Sequence, residues 1–229
     1  LIGVIVVGGD VPRVPGDVGC AASFDRPVGF ERAGPVSMQD VFDGREHALL
    51  PALLRAGRAL VGRGATVLAT TCGLLTRVHR ELTDRLGVPV ATSALLQLPQ
   101  VLAVLPAGRT VGVVTALAAQ LTPERLVAAG VAPDRLDRIV TIDLAATDHF
   151  LPALRGERDS LDLARAEQEI RAVVARAVEG TAVGALVSEC ANLPPYSAAL
   201  RAATGLPVWD ALDQIRWLAA GGGAPSRPA

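Results

Sequence analysis

The sequence contains no apolar run near the roughly 20 residues that a bilayer-spanning helix needs, which excludes a helical membrane span. It has no basic tract, and a formal net charge of −1 over 229 residues leaves no electrostatic footprint for nucleic acid or an anionic membrane surface. Cysteine is scarce: Cys20, Cys72 and Cys190 lie far apart, without a Cys-x-x-Cys pair or a His/Cys cluster at metal-ligand spacing. Neither a disulfide framework nor a metal site is indicated. The opening "LIGVIVVGGD" lacks a basic n-region and a small-residue cleavage site, and it reads as a first strand instead of a signal peptide. These absences predict a soluble chain in a reducing, cytoplasmic setting whose partner is a small molecule.

What is present is a rhythm. The chain is 50% hydrophobic and 20% charged, enough for one large or two small domains with a proper core. Short β-branched runs are "GVIVV" at 3–7, "ATVLAT" at 65–70, "VPVA" at 88–91, "TVGVVT" at 110–115, "RIVTI" at 138–142, "VGALVS" at 183–188 and "LPVW" at 206–209. They alternate with helical stretches such as "REHALLPALLRAGRALVG", "LTRVHRELTDRL" and "LDLARAEQEIRAVVARAVEG". Nearly continuous apolar strands between amphipathic helices predict an α/β protein with parallel sheets covered on both faces. In "LTPER", Thr122 is the expected N-cap and Pro123 the first helical residue. Val11 to Val36 holds four prolines and four glycines without a period, which predicts a long loop of the kind used as a lid or binding loop. The C-terminal "GGGAPSRPA" reads as a flexible tail to which no role is assigned.

The chain also repeats itself. "ATTCGLLTRVHRELTDRLGVPVATSALLQL" registers with "VSECANLPPYSAALRAATGLPVWDALDQIRWL", so that Cys72 falls on Cys190, Gly87 on Gly205 and Pro89 on Pro207. Upstream, "IGVIV" at 2–6 has a counterpart in "VGVVT" at 111–115, which makes two similar α/β halves. Each cysteine then ends a strand just before a helix, where open α/β sheets bind ligands. A thiol near a helix N-terminus is biased towards thiolate, because unpaired amides and the macrodipole favour negative charge there. One buried cysteine is readily explained by packing; two at matched positions point to chemistry.

Four stretches, "TTCG" at 70–73, "ECANLPPY" at 189–196, "GLPVWDAL" at 205–212 and "PRVPGD" at 12–17, resemble the aspartate/glutamate racemase superfamily, which also contains hydantoin and allantoin racemases, arylmalonate decarboxylase and maleate isomerase. The resemblance covers about residues 1–218. It implies two flavodoxin-like parallel-sheet halves related by a pseudo-two-fold, with the active site in the cleft between them. The last helix is expected to return to the first domain, giving domains of 1–106 plus 206–229 and of 107–205. A homodimer is also implied. Two-cysteine members are racemases that use no cofactor: one thiolate takes the α-proton from one face and the opposite thiol delivers one to the other.

That chemistry suits these residues, since inversion through a planar carbanion needs an acid and a base on opposite faces. Without an electron sink, fixed donors must hold the enolate-like charge. Main-chain amides at Gly73 and Ala191, and the side chains of Thr71, Thr115 and Asn192, are the candidates. Each polar side chain has a plainer reading: Thr71 as a strand end, Thr115 as a β-former, Asn192 as a helix cap. Strand alternation points Glu189 away from the cleft. His47, His79 and His149 are not expected to be catalytic. Cys190 is followed by Ala191 and Asn192 where glutamate racemases have Thr-His, and "GVIVVGGD" has Gly8 and Gly9 near the place of their Asp-Ser, so the resemblance does not extend to glutamate as substrate. Cys20 reads as a solvent-facing spare, a packing thiol under the 11–36 loop, or a third active-site group if that loop closes as a lid, and Arg13 as a surface arginine or a partner for a substrate carboxylate.

The leading expectation is therefore a racemase or epimerase of an amino acid or hydantoin-type substrate, with Cys72 and Cys190 as the acid/base pair. The alternatives are a decarboxylase or isomerase of a small dicarboxylate, and a non-catalytic small-molecule binder that keeps the cleft.

Overall fold

The computed structural model describes residues 1–221. The tail expected at 221–229 lies, beyond Gly221, outside the described residues. Eight strands occur: β1 (Ile2–Val6), β2 (Val28–Arg32), β3 (Val67–Thr70), β4 (Val90–Ala91), β5 (Thr110–Thr115), β6 (Ile139–Asp143), β7 (Val183–Ser188) and β8 (Val208–Trp209). They form two all-parallel sheets of four, in the orders β2-β1-β3-β4 and β6-β5-β7-β8. The halves thus share one winding, with equivalent central strands β1/β5 and β3/β7. This is the expected α/β architecture.

The helices are α1 (Met38–Phe42), α2 (Leu50–Gly62), α3 (His79–Leu86), α4 (Leu98–Val104), α5 (Pro123–Ala128), α6 (Phe150–Leu154), α7 (Leu163–Val178), α8 (Ser197–Thr204) and α9 (Ala211–Gly221). Their starts follow capping chemistry. The Thr122 hydroxyl accepts from the Arg125 N–H at 3.4 Å, with Pro123 next in the chain. The Asp162 carboxylate accepts from Ala164 N–H at 3.0 Å and Arg165 N–H at 3.1 Å, opening α7. Along α7, Ala166, Ile170 and Val174 recur at helical spacing and are the buried stripe. Among the described residues no helix is long and apolar enough to cross a membrane.

Three apolar layers result. Ile5 and Leu68 on the outer face of the first sheet pack with α2 and α3 residues such as Leu53 and Leu82. Val114 and Leu186 on the outer face of the second sheet pack with α7 and α8. The third layer joins the inner faces of both sheets, Val4 and Ala69 with Val111 and Val187, through Leu98 of α4 and Ile215 of α9. α9 packs on β3 and β4, in the first sheet.

Two expectations change. The 11–36 segment is not wholly a loop: residues 28–32 are β2, an edge strand paired parallel to β1 from Ile2↔Val28 to Val6↔Arg32. Its residues are only half-buried or exposed, so the sequence carries Gly29, Glu31 and Arg32 there and shows no apolar run. The rest of the segment is held down. Val18 N–H donates to the Ala191 carbonyl in the other half at 3.1 Å. Secondly, several predicted helices open with a 3-10 turn, as at Leu75–Val78 before α3 and Pro194–Tyr196 before α8.

Candidate active site

Parallel strands leave the carboxyl ends of β1, β3, β5 and β7 pointing to one side, and the chain's turns there meet in a cavity of about 470 Å³. Thr71, Cys72 and Gly73 reach it from the first half; Thr115, Glu189, Cys190 and Asn192 from the second. Cys72 and Cys190 are close enough for charge on Cys72 to raise Cys190. Much of the remaining wall is apolar, with Val7, Met38 and Phe42 facing Leu117, Leu151 and Leu154. Arg13 and Arg155 supply positive charge at the wall.

The halves approach closely at Gly73. A Cβ there would lie 2.2 Å from both the main-chain carbonyl and the carboxylate Oε1 of Glu189, so no larger residue fits. Glu189 therefore points into the cleft, against the sequence expectation. Residues 185 and 187 face the layer shared by the two sheets, and 189 continues on that side. Its Oε2 accepts from the Thr115 hydroxyl at 2.9 Å. Burial pushes the Glu189 carboxyl up to about 7, opposed by the Thr115 hydroxyl and the Arg125 charge.

The other candidate residues have definite partners. The Thr71 hydroxyl accepts from Val7 N–H at 2.9 Å, tying the end of β3 to the chain after β1, while the side chain lines the cavity. Asn192 caps no helix: its Oδ1 accepts from Cys190 Sγ at 3.5 Å, and its Nδ2 donates to Asp17. Ala191 is buried behind the wall, with its carbonyl taken by Val18. The main-chain amides that meet the sulfurs are Leu74 N–H at Cys72 and Asn192 N–H at Cys190.

The expected thiolate bias is overturned. α3 begins only at His79 and α8 at Ser197, so neither thiol sits at the N-terminus of an α-helix. Burial dominates instead: it pushes Cys72 up to about 12, with the Leu74 N–H and Arg125 pulling down and Glu189 and Glu46 pushing up. Cys190 is held well above its ordinary value, first by burial, then by Glu189, Asp17 and Cys72. Burial thus biases both thiols towards the protonated form.

Arg13 lines the cavity and pairs with Asp17 at 3.0 Å, and Asp17 is itself almost fully buried. Sequence reasoning quoted Asp17 within "PRVPGD" but gave it no role; its only local signal is a charged residue in a Pro-Gly turn. Arg155 was missed entirely, because nothing local marks one arginine among many as a cavity residue. Cys20 is half-buried and lies outside the wall. So do the histidines: His47 is exposed, His79 Nδ1 meets the Thr92 hydroxyl at 3.1 Å, and His149 Nε2 accepts from Asp162 N–H at 2.8 Å. Among the described residues no three His, Cys, Asp or Glu side chains cluster as metal ligands.

The chain matches the family model described as Asp/Glu/Hydantoin racemase over residues 26–219. It is 27% identical to a dimethylsulfoniopropionate lyase of Durusdinium sp. clade D, over 92% of this chain and 71% of that protein. To dimethylsulfoniopropionate lyase 7 of Emiliania huxleyi (strain CCMP1516) it is 30% identical, over 92% of this chain and 64% of that one. The chain thus spans about two-thirds of these relatives. Among solved structures, a glycine-to-cysteine mutant of arylmalonate decarboxylase in its sulfate-associated form superposes with a TM-score of 0.62 at 21% identity, covering 100% of this chain and 96% of that one. Allantoin racemase from Klebsiella pneumoniae gives 0.59 at 20% identity, covering 99% and 91%.

Proposed function

The chain belongs to the Asp/Glu/hydantoin racemase family, and from that premise we propose that it is a cofactor-independent racemase or epimerase of an amino-acid or hydantoin-type substrate, in which Cys72 and Cys190 serve as base and acid on opposite faces of Cα. The observation that carries this reading is positional. Two thiols from equivalent strand ends, one in each half, line the same cavity. A thiolate in this buried setting is a strong base, suited to a weakly acidic Cα–H. It takes the proton from one face; the electron pair delocalises into the adjacent carbonyl; the other thiol delivers its proton to the opposite face. Arg13 and Arg155 are the groups available for a substrate carboxylate.

A second reading is favoured by the curated relatives, which are lyases. On a β-sulfonium carboxylate one thiolate suffices: it removes the α-proton, the electron pair forms the C=C bond and the sulfide leaves. Decarboxylation of a malonate would likewise need only one thiol, to protonate the carbanion left by carbon dioxide. Deuterium wash-in at Cα with chiral chromatography, over amino acids and 5-substituted hydantoins, separates these. Racemisation is expected to be lost in both Cys72→Ser and Cys190→Ser. Alkene and sulfide, or carbon dioxide, formed with one of those variants still active would replace the racemase reading, and full racemisation by both variants would end it.

A further inference from the structure

The two thiols are equivalent by position but not by surroundings. The 118-residue repeat that aligns Cys72 with Cys190 aligns Leu74 with Asn192 and Thr71 with Glu189. Leu74 offers Cys72 a main-chain N–H and no side-chain acceptor, and the nearby cation is Arg125, which is 2% exposed. At Cys190 the thiol donates to Asn192 Oδ1 at 3.5 Å. The Asn192 amide then donates to Asp17 Oδ2, and Asp17 Oδ1 accepts from Arg13 at 3.0 Å and from the Gly19 N–H. Asp17 is 1% exposed, so its charge acts through little water. The chain of contacts crosses between the halves, because Arg13, Asp17 and Gly19 belong to the 11–36 segment. Val18 N–H on the Ala191 carbonyl fixes its register.

We propose that Asn192 and Asp17 are positioning residues that keep Cys190 as the proton-bearing thiol of the pair, with Arg13 moderating the Asp17 charge, and leave Cys72 as the thiol that ionises first. The groups facing Cys190 are the acids Glu189 and Asp17 and the thiol of Cys72, whereas Cys72 faces Arg125 as well as Glu189 and Glu46. Its catalytic meaning rests on the two-thiol reading above. Once Cys72 has given its own proton to solvent, its thiolate Sγ takes the α-proton and the Cys190 S–H proton goes to the opposite face of Cα, leaving Cys72 protonated and Cys190 as thiolate beside Glu189 and the Asp17 relay. The enantiomer whose Cα–H faces Cys72 is then the one turned over directly by the singly ionised enzyme.

The test needs no substrate. Full-length protein is alkylated with iodoacetamide at several pH values, and each cysteine is followed by peptide mass spectrometry. Asp17→Asn keeps the hydrogen-bonding shape and removes the charge, so Cys190 is expected to alkylate about fivefold faster, with Cys72 changed by less than about twofold. Arg13→Met uncovers the Asp17 charge from the partly exposed end, and is expected to slow Cys190 about threefold. It serves as the test if Asp17→Asn fails to give the parent circular-dichroism melt. Equal acceleration of both cysteines, or no change at Cys190 in either variant, overturns the proposal. If the alkylation asymmetry appears and no substrate exchanges its α-proton, the two-thiol reading fails while the relay stands.

Discussion

Glu189 is a carboxyl buried to 3% exposure whose hydrogen-bond donor is the Thr115 hydroxyl at 2.9 Å. Neutral and buried, it costs little; ionised, it must be held with little help from water. Its folded value of about 7 lies above the ordinary 4.5, so the folded chain binds this proton more tightly than the unfolded chain does. The stabilisation is therefore complete below pH 4.5 and is lost as pH rises through about 7, a change worth roughly 3 kcal/mol. Urea unfolding of the parent and of Glu189→Gln, at matched pH values across that window, is expected to show the parent gaining on the variant as pH falls. Asp17 and Asp213, also raised, are present in both proteins and subtract out. A stability difference that does not vary with pH would refute this account. The orientation of Glu189 was not legible in the sequence, for a physical reason. Leu186 on one face of β7 and Val187 on the other are both fully buried, so the strand has no polar side to mark which face meets the cleft.

At the scale of elements, the repeat is a structural identity. Displacing α3 by 118 positions gives the bounds of α8, and the same step takes β4 to β8. Both helices end on a left-handed glycine, Gly87 at φ +68° and Gly205 at φ +67°. Their amides close on Thr83 O at 3.1 Å and Arg201 O at 2.9 Å. The following prolines repeat too, with Pro89 O accepting from Leu68 N at 2.9 Å and Pro207 O from Leu186 N at 2.8 Å. A Cβ at either glycine meets nothing within 4 Å, so only the backbone conformation opposes a side chain. Gly87→Ala and Gly205→Ala are each expected to lower stability by about 1 kcal/mol, and by similar amounts, in chemical denaturation. Unequal losses would mean that the two helix ends are held differently. This part of the fold was readable because turn chemistry is local: Gly-x-Pro-Val records one positive φ and one strand start. β2, α1 and α6 left no such mark, being five residues each and held by neighbours instead of by their own pattern.

For the whole molecule, the winding of two parallel sheets and the placing of both cysteines at strand ends were legible, since hydrophobic period and repeat offset carry them. What joins the halves was not. The Asp17–Asn192 contact spans 175 positions, and the buried Arg125–Glu46 pair, at 2.7 Å, spans 79. No local pattern connects such residues. The division into 1–106 plus 206–229 and 107–205 is a proposal about chain topology, and the core argues against treating those pieces as independent. Val4 and Ala69 share one apolar cluster with Val111 and Val187, and α4 and α9 fill it from the two ends of that division. Separating the halves would expose that cluster and break the buried Arg125–Glu46 pair, a penalty of several kcal/mol, even though Glu46 keeps Arg77 at 3.1 Å and Asp17 keeps Arg13 at 3.0 Å. Unfolding is therefore expected to be one cooperative transition. Tryptophan fluorescence, reporting Trp209 on β8 and Trp217 on α9, should coincide in urea with far-ultraviolet circular dichroism and with hydrogen-exchange protection read separately on β1 and β5. If β1 and β5 instead lose protection at different urea concentrations, the shared layer does not couple the halves, and one sheet unfolds while the other remains folded.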